Sequence, residues 1–129
     1  MQKEHKYAIT KFENAFLRLK EAAEAAQDEL EKDGTIQRFE FTFELMWKTL
    51  RIALQDSGIN VKTPKESLQE AFRLGWLKNE EIFLNMLEDR NKTSHIYDKN
   101  TADEIFERIC KSYVSAIGEI FDVLKRKLS

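Results

Sequence analysis

Residues Asp89 to Asn100 read DRNKTSHIYDKN, and five of these side chains could do chemistry together: Arg90, Asn91, Ser94, His95 and Tyr97. An imidazole titrates near neutrality, so His95 could move a proton at the 2′-OH or the leaving oxygen of an RNA phosphodiester. The Arg90 fork could hold the phosphate and stabilise charge that builds up in the transition state. Asn91, one turn before His95, could fix the imidazole tautomer or contact substrate, with the Ser94 hydroxyl in support. Arg, His and a hydroxyl suffice for RNA cleavage without a metal or cofactor. Acid–base cleavage commonly uses two proton-transfer groups and this motif carries one histidine, so a symmetric dimer would supply the second. A bland alternative fits the same spacing, since Arg and Tyr often snorkel at the ends of bundle helices. Spacing alone leaves both readings open.

The stretch that leads into the motif, NEEIFLNMLE, has a helical apolar pattern. Taking about 100° per residue with Arg90 at zero, Met86 falls at about −40°, Phe83 at about 20° and Leu87 at about 60°. The inward stripe is therefore centred near Arg90. On the same scale Tyr97 lies at about −20°, Ser94 at about 40°, Asn91 at about 100° and His95 at about 140°. If the helix keeps its pitch through Tyr97, Arg90, Ser94 and Tyr97 point at the bundle groove or at a partner chain.

The elements around it read as helices. Phe12, Phe16, Leu19, Ala23, Ala26 and Leu30 share one face, which predicts a first helix from near His5 to near Lys32 with Gly34 as its stop. In the next segment Ile36, Phe39, Phe43, Met46, Trp47, Leu50 and Leu54 form one stripe, and Phe41, Leu45 and Ile52 another. A surface helix needs one apolar stripe, so two imply a sandwiched helix or one that meets a second chain. TPKE, Thr63 to Glu66, is a capping box with proline at the first helical position, and that short helix should stop at Gly75. Asn79 should cap a helix that Glu80 and Glu81 open. Thr101 with Glu104 reads as a capping box for a last helix carrying Ile105, Ile109, Tyr113, Ile117, Ile120 and Leu124 on one face. The expected fold class is all-α: an up-and-down bundle of four main helices plus one short helix.

Composition bounds the function. With 129 residues the chain fits a single domain, 1–129. Nine Phe and two Trp mark a folded chain, and four Gly with one Pro leave little punctuation for hairpins. The lone Cys110 gives neither an internal disulfide nor a cysteine cluster for zinc, which suits a reducing cytoplasm. No apolar run is long enough for a membrane span or signal segment. The net charge of −2 argues against a general, charge-driven nucleic-acid binder, so an RNA contact would need a local basic patch. His5 reads as a surface residue, Glu44 and Lys48 as an i,i+4 ion pair, and Trp47 and Trp76 as packing anchors.

RNKTSHIY also fits the Arg-x4-His-x-Tyr motif of HEPN-domain proteins, with Asn91 as the polar residue after the arginine. Together with QRFEFTFELMWKTL, TPKE and Gly75–Trp76, it resembles the branch known as nucleotidyltransferase substrate-binding proteins, over almost the whole chain. The resemblance implies a dimerising helical bundle and a separate partner with a minimal nucleotidyltransferase (MNT) fold. Two activities follow from it. In one, the chain is a HepT-like, metal-independent endoribonuclease toxin with Arg90 and His95 catalytic and Asn91 supportive, silenced when the partner transfers AMP to Tyr97. In the other, it is a non-catalytic subunit that presents substrate to the nucleotidyltransferase.

Overall fold

The computed structural model describes residues 3–93, 95 and 98–129. Among them every element is helical: α1 (Lys3–Ala25), α2 (Glu29–Asp56), α3 (Pro64–Arg73), α4 (Glu80–Thr93), α5 (Lys99–Arg108), a π-helical segment (Ile109–Tyr113) and α6 (Val114–Leu128). Because α5, the π segment and α6 form one continuous rod, the architecture is the expected one, four long helices and the short α3.

The first boundary departs from expectation. α1 ends at Ala25, and α2 starts at Glu29 behind a full capping box. The Glu31 N–H donates to Asp28 Oδ1 at 2.8 Å, and the Asp28 N–H donates back to Glu31 Oε1 at 3.2 Å. The apolar period of α1 continues on paper to Leu30, but this reciprocal cap satisfies the free amides and restarts the helix. Leu30 is consequently 80 % exposed, and Gly34 lies inside α2.

α2 is the central strut. Ile36, Phe39, Phe43, Met46, Trp47, Leu50 and Leu54 are all buried, as its main stripe predicts. A threonine stripe runs beside them: Thr35, Thr42 and Thr49 are buried and donate to the carbonyls of Glu31, Arg38 and Leu45. Thr42 also reaches the Ala15 carbonyl of α1 at 3.2 Å, so the two backbones lie close there. The second apolar stripe splits. Leu45 and Ile52 pack partly against the core, while Phe41 stays 57 % exposed.

Thr63 caps α3 as expected, its Oγ1 accepting from the Glu66 N–H at 3.1 Å, and Pro64 takes the first turn. Gly75 follows its end at φ +79°, a left-handed conformation that side chains other than glycine rarely adopt. Asn79 Oδ1 accepts from the Ile82 N–H at 3.3 Å and opens α4. The last rod starts at Lys99, earlier than Thr101. Its cap is Asp98, whose carboxylate accepts both the Thr101 N–H, at 2.7 Å, and the Thr101 hydroxyl, at 3.1 Å.

Between Ile105, Ile109, Tyr113 and Ile117 lie three successive four-residue steps, which would drift by roughly 120° around an ideal α-helix. The π turn absorbs that drift: the Val114 N–H bonds to the Ile109 carbonyl, one residue further back than in an α-helix. All four side chains therefore stay in the core, each at most 2 % exposed. Tyr113 stacks on Phe39 with ring centroids 5.4 Å apart, and Phe12 meets Phe121 edge-on at 5.6 Å. His5 is a correction: its side chain is 11 % exposed, with Nε2 3.7 Å from Asp56 Oδ1.

Candidate functional site

The last turn of α4 gives two adjacent side chains different partners. Asp89 points inward and is 3 % exposed. It accepts Arg108 Nε at 2.8 Å and Nη2 at 2.9 Å through separate oxygens, and the Tyr113 hydroxyl at 2.5 Å. Such a buried carboxylate persists only because it is multiply bonded. The Asp89 hydrogen bond holds the Arg108 guanidinium still more firmly protonated than usual. Burial first, and then the neighbouring Asp89 carboxylate, push the Tyr113 phenol far above its ordinary range. These bonds tie the end of α4 to the π segment of the last rod.

Arg90 turns to α2 instead, with a third of its side chain open. Its Nη2 donates to Glu44 Oε2 of α2 at 2.5 Å, and its Nη1 to Asn91 Oδ1 at 3.3 Å. The second Glu44 oxygen lies 3.3 Å from Lys48 Nζ, so the expected i,i+4 pair is half of a three-group cluster. Burial pushes the Glu44 carboxyl up, but Trp47, Lys48 and Arg90 together hold it below its ordinary value. Among the described residues the buried Trp47 indole N–H makes no fully formed hydrogen bond, but it lies near enough to the Glu44 carboxylate to favour the charged form.

The helix then ends sooner than the angular argument requires. α4 stops at Thr93, whose hydroxyl donates to the Arg90 carbonyl at 2.6 Å, and the His95 N–H donates to the Lys92 carbonyl at 2.9 Å. His95 is exposed in the turn that follows, and Asn91 is exposed on α4. Ser94 and Tyr97 lie outside the described residues. The inward arc of α4 is also rotated from the sequence estimate. Its buried members are Phe83, Met86 and Asp89, and Arg90 sits at the margin.

The motif spacing names Arg90, Asn91 and His95 as candidates, but it gives no hint of the Asp89–Arg108–Tyr113 cluster or of the Glu44–Arg90 bond. One signal was available: Tyr113 falls on a core stripe, and a buried phenol needs a polar partner. Beside the motif, Glu29, Asp33, Glu40, Thr93, Asp98 and Lys99 help to line an open groove of about 490 Å³. Among the described residues no three His, Cys, Asp or Glu side chains gather as a metal-binding group, and no helix is long and apolar enough to cross a membrane.

Residues 7–126 match the family described as "Nucleotidyltransferase substrate binding protein like". The chain belongs to this family. The HEPN-like resemblance read from the motif agrees with that assignment, and the helical fold is shared with solved structures. A crystal structure from Thermus thermophilus matches with a TM-score of 0.84 at 34 % identity, covering 89 % of this chain and 99 % of the other. A Haemophilus influenzae structure, said to reveal the fold of a substrate binding domain of a nucleotidyltransferase, matches with a TM-score of 0.77, covering 91 % of this chain and 98 % of the other. At 24 % identity the latter shows the fold alone. A curated Haemophilus influenzae relative, named "Probable ribonuclease HepT", is 35 % identical over 81 residues, which is 59 % of this chain and 56 % of that protein.

Proposed function

We propose that this member of the nucleotidyltransferase substrate-binding-like family is a HepT-like endoribonuclease that acts as a homodimer and pairs with a minimal nucleotidyltransferase. The observation that carries this reading is the end of α4. There a partly open guanidinium, Arg90, is bonded to Asn91 and is followed five residues later by an exposed imidazole, His95. The likeness to a protein named as a probable ribonuclease supports it.

In the proposed reaction a histidine takes the proton of a ribose 2′-OH, and the 2′ oxygen attacks the adjacent phosphorus. The bond to the 5′ oxygen breaks, and a second proton donor, His95 of the other protomer, protonates that oxygen. A 2′,3′-cyclic phosphate and a 5′-hydroxyl result. Arg90 binds the phosphate and offsets the charge that grows on its oxygens. AMP transferred to Tyr97 by the partner places a bulky anion close in sequence to Arg90, where it competes with RNA phosphate.

Purified protein in EDTA should cleave total or transfer RNA, and His95→Ala should abolish cleavage while leaving the helical circular dichroism intact. Cleavage that survives this substitution removes the chemistry. Incubation with the nucleotidyltransferase and ATP should add AMP-sized mass that Tyr97→Phe prevents. The second reading, a non-catalytic subunit presenting substrate to the nucleotidyltransferase, draws on the family description and gains if RNA stays intact.

A further inference from the structure

Arg90 lies at one end of a row of cations. On α2, Glu44, Lys48 and Arg51 are spaced by four and three residues and so share about 60° of arc. The Glu44 carboxylate bridges cations from two helices, with Arg90 Nη2 at 2.5 Å on one oxygen and Lys48 Nζ at 3.3 Å from the other. Arg51 continues the row, its guanidinium carbon 5.2 Å from the centre of the Trp47 ring, which braces it. Lys48 and Arg51 are both exposed beyond their contacts. The other flank is opposite in sign, since among the described residues lining the groove beside Thr93 the charged ones are Glu29, Asp33, Glu40, Asp98 and a single cation, Lys99. A polyanion is repelled from that side and drawn along α2.

We propose that Arg90, Lys48 and Arg51 form a phosphate track for single-stranded RNA, and that the Glu44 carboxylate occupies its first position until a phosphate takes its place. This rests on the ribonuclease reading above and adds to it the direction from which the strand arrives. A carboxylate and a phosphate each present paired oxygens to a guanidinium fork, so the exchange keeps Arg90 bonded before and after binding. The low pKa of Glu44 keeps this internal counter-ion charged at neutral pH, and a ligand must displace it. A lone phosphate competes poorly with a tethered carboxylate. A strand that also engages Lys48 and Arg51 gains the additional contacts that displacement requires. The track therefore selects strands over mononucleotides, in a chain whose net charge of −2 offers no general attraction.

Fluorescence anisotropy with labelled single-stranded RNA, in a His95→Ala background that leaves it uncleaved, tests the track across a salt series. Lys48→Ala and Arg51→Ala should each weaken binding roughly three- to ten-fold and lower the slope of log K against log salt by about 0.7. Glu44→Gln, nearly isosteric, should move the other way and tighten binding at low salt. Lys62→Ala, an exposed lysine between α2 and α3, should change nothing. A labelled mononucleotide should bind far more weakly than the strand. If RNA is bound and cleaved but the Lys48 and Arg51 variants bind it like the parent, or Glu44→Gln weakens binding, the track is wrong and the ribonuclease reading stands. If the parent binds no RNA at all, both fall.

Discussion

Replacing Arg90 by lysine separates charge from shape at the end of α4. The ammonium can still pair with Glu44, but it lacks the planar fork that spans Glu44 and Asn91. Arg90→Lys should therefore leave thermal stability nearly unchanged and reduce RNA cleavage by about 10²–10³-fold, the usual cost of losing one transition-state donor. Single-turnover cleavage beside a melting curve checks both halves, and cleavage at the parent's rate would remove Arg90 from the chemistry. Arg90 and Asn91 were legible in the sequence because the motif spacing names them directly. The Glu44 bond was not, because its partners lie 46 positions apart and no helical period connects them. Asp89 was hidden differently: by type it reads as one more solvated charge on a polar stretch, and only the packed last rod turns it inward.

At the scale of elements, the Asp89–Arg108–Tyr113 cluster joins α4 to the π segment, and its loss should be felt as stability. Tyr113→Phe deletes one hydrogen bond and should cost about 1 kcal/mol, while Asp89→Ala strands Arg108 and should cost about 2–4 kcal/mol. Urea denaturation measures both, and their double mutant should cost less than the sum because the groups share partners. The raised Tyr113 pKa sets a pH window. The unfolded phenol ionises near its ordinary value of 10 and the folded one well above it, so the folded state binds the extra proton there. Stability conferred by this group is complete below pH 10 and declines as pH rises beyond it, and Tyr113→Phe should flatten that alkaline decline. Helix identities were legible at this scale, because the apolar period sets which face turns inward. Boundaries were less so. Asp28 and Asp98 are caps whose signal was overridden by the continuing apolar pattern before the first and by the Thr101–Glu104 spacing after the second. The π turn left a trace in three consecutive four-residue steps, visible once the rod is seen to be unbroken.

Across the whole molecule, α2 presents an outward strip with Leu30 at 80 % and Phe41 at 57 % exposure, and Gly34 between them. Nothing lies within 4 Å of where a Gly34 side chain would begin, so the described fold gives no reason for a glycine that costs its helix about 1 kcal/mol. The proposed homodimer accounts for both observations if a second copy covers this strip. Phe41→Asp should then halve the mass seen by sedimentation while circular dichroism stays helical; an unchanged mass moves the interface elsewhere. What the sequence suggested about this strip was its apolar excess, and what it could not resolve was which part of the excess the core would absorb. The separate partners of the neighbours Asp89 and Arg90 matter on another timescale. Asp89 is held by the Arg108 and Tyr113 bonds, Arg90 by the partly open Glu44 contact, and His95 stands on a turn outside the helix, so mutation would strike the fold and the proposed chemistry separately. On the ribonuclease reading, a descendant that drifts away from Arg90 or His95 would inherit an intact bundle and could survive as a binding partner without the cleavage. A family described by substrate binding, with a relative named as a probable ribonuclease, is what such a division of labour would produce.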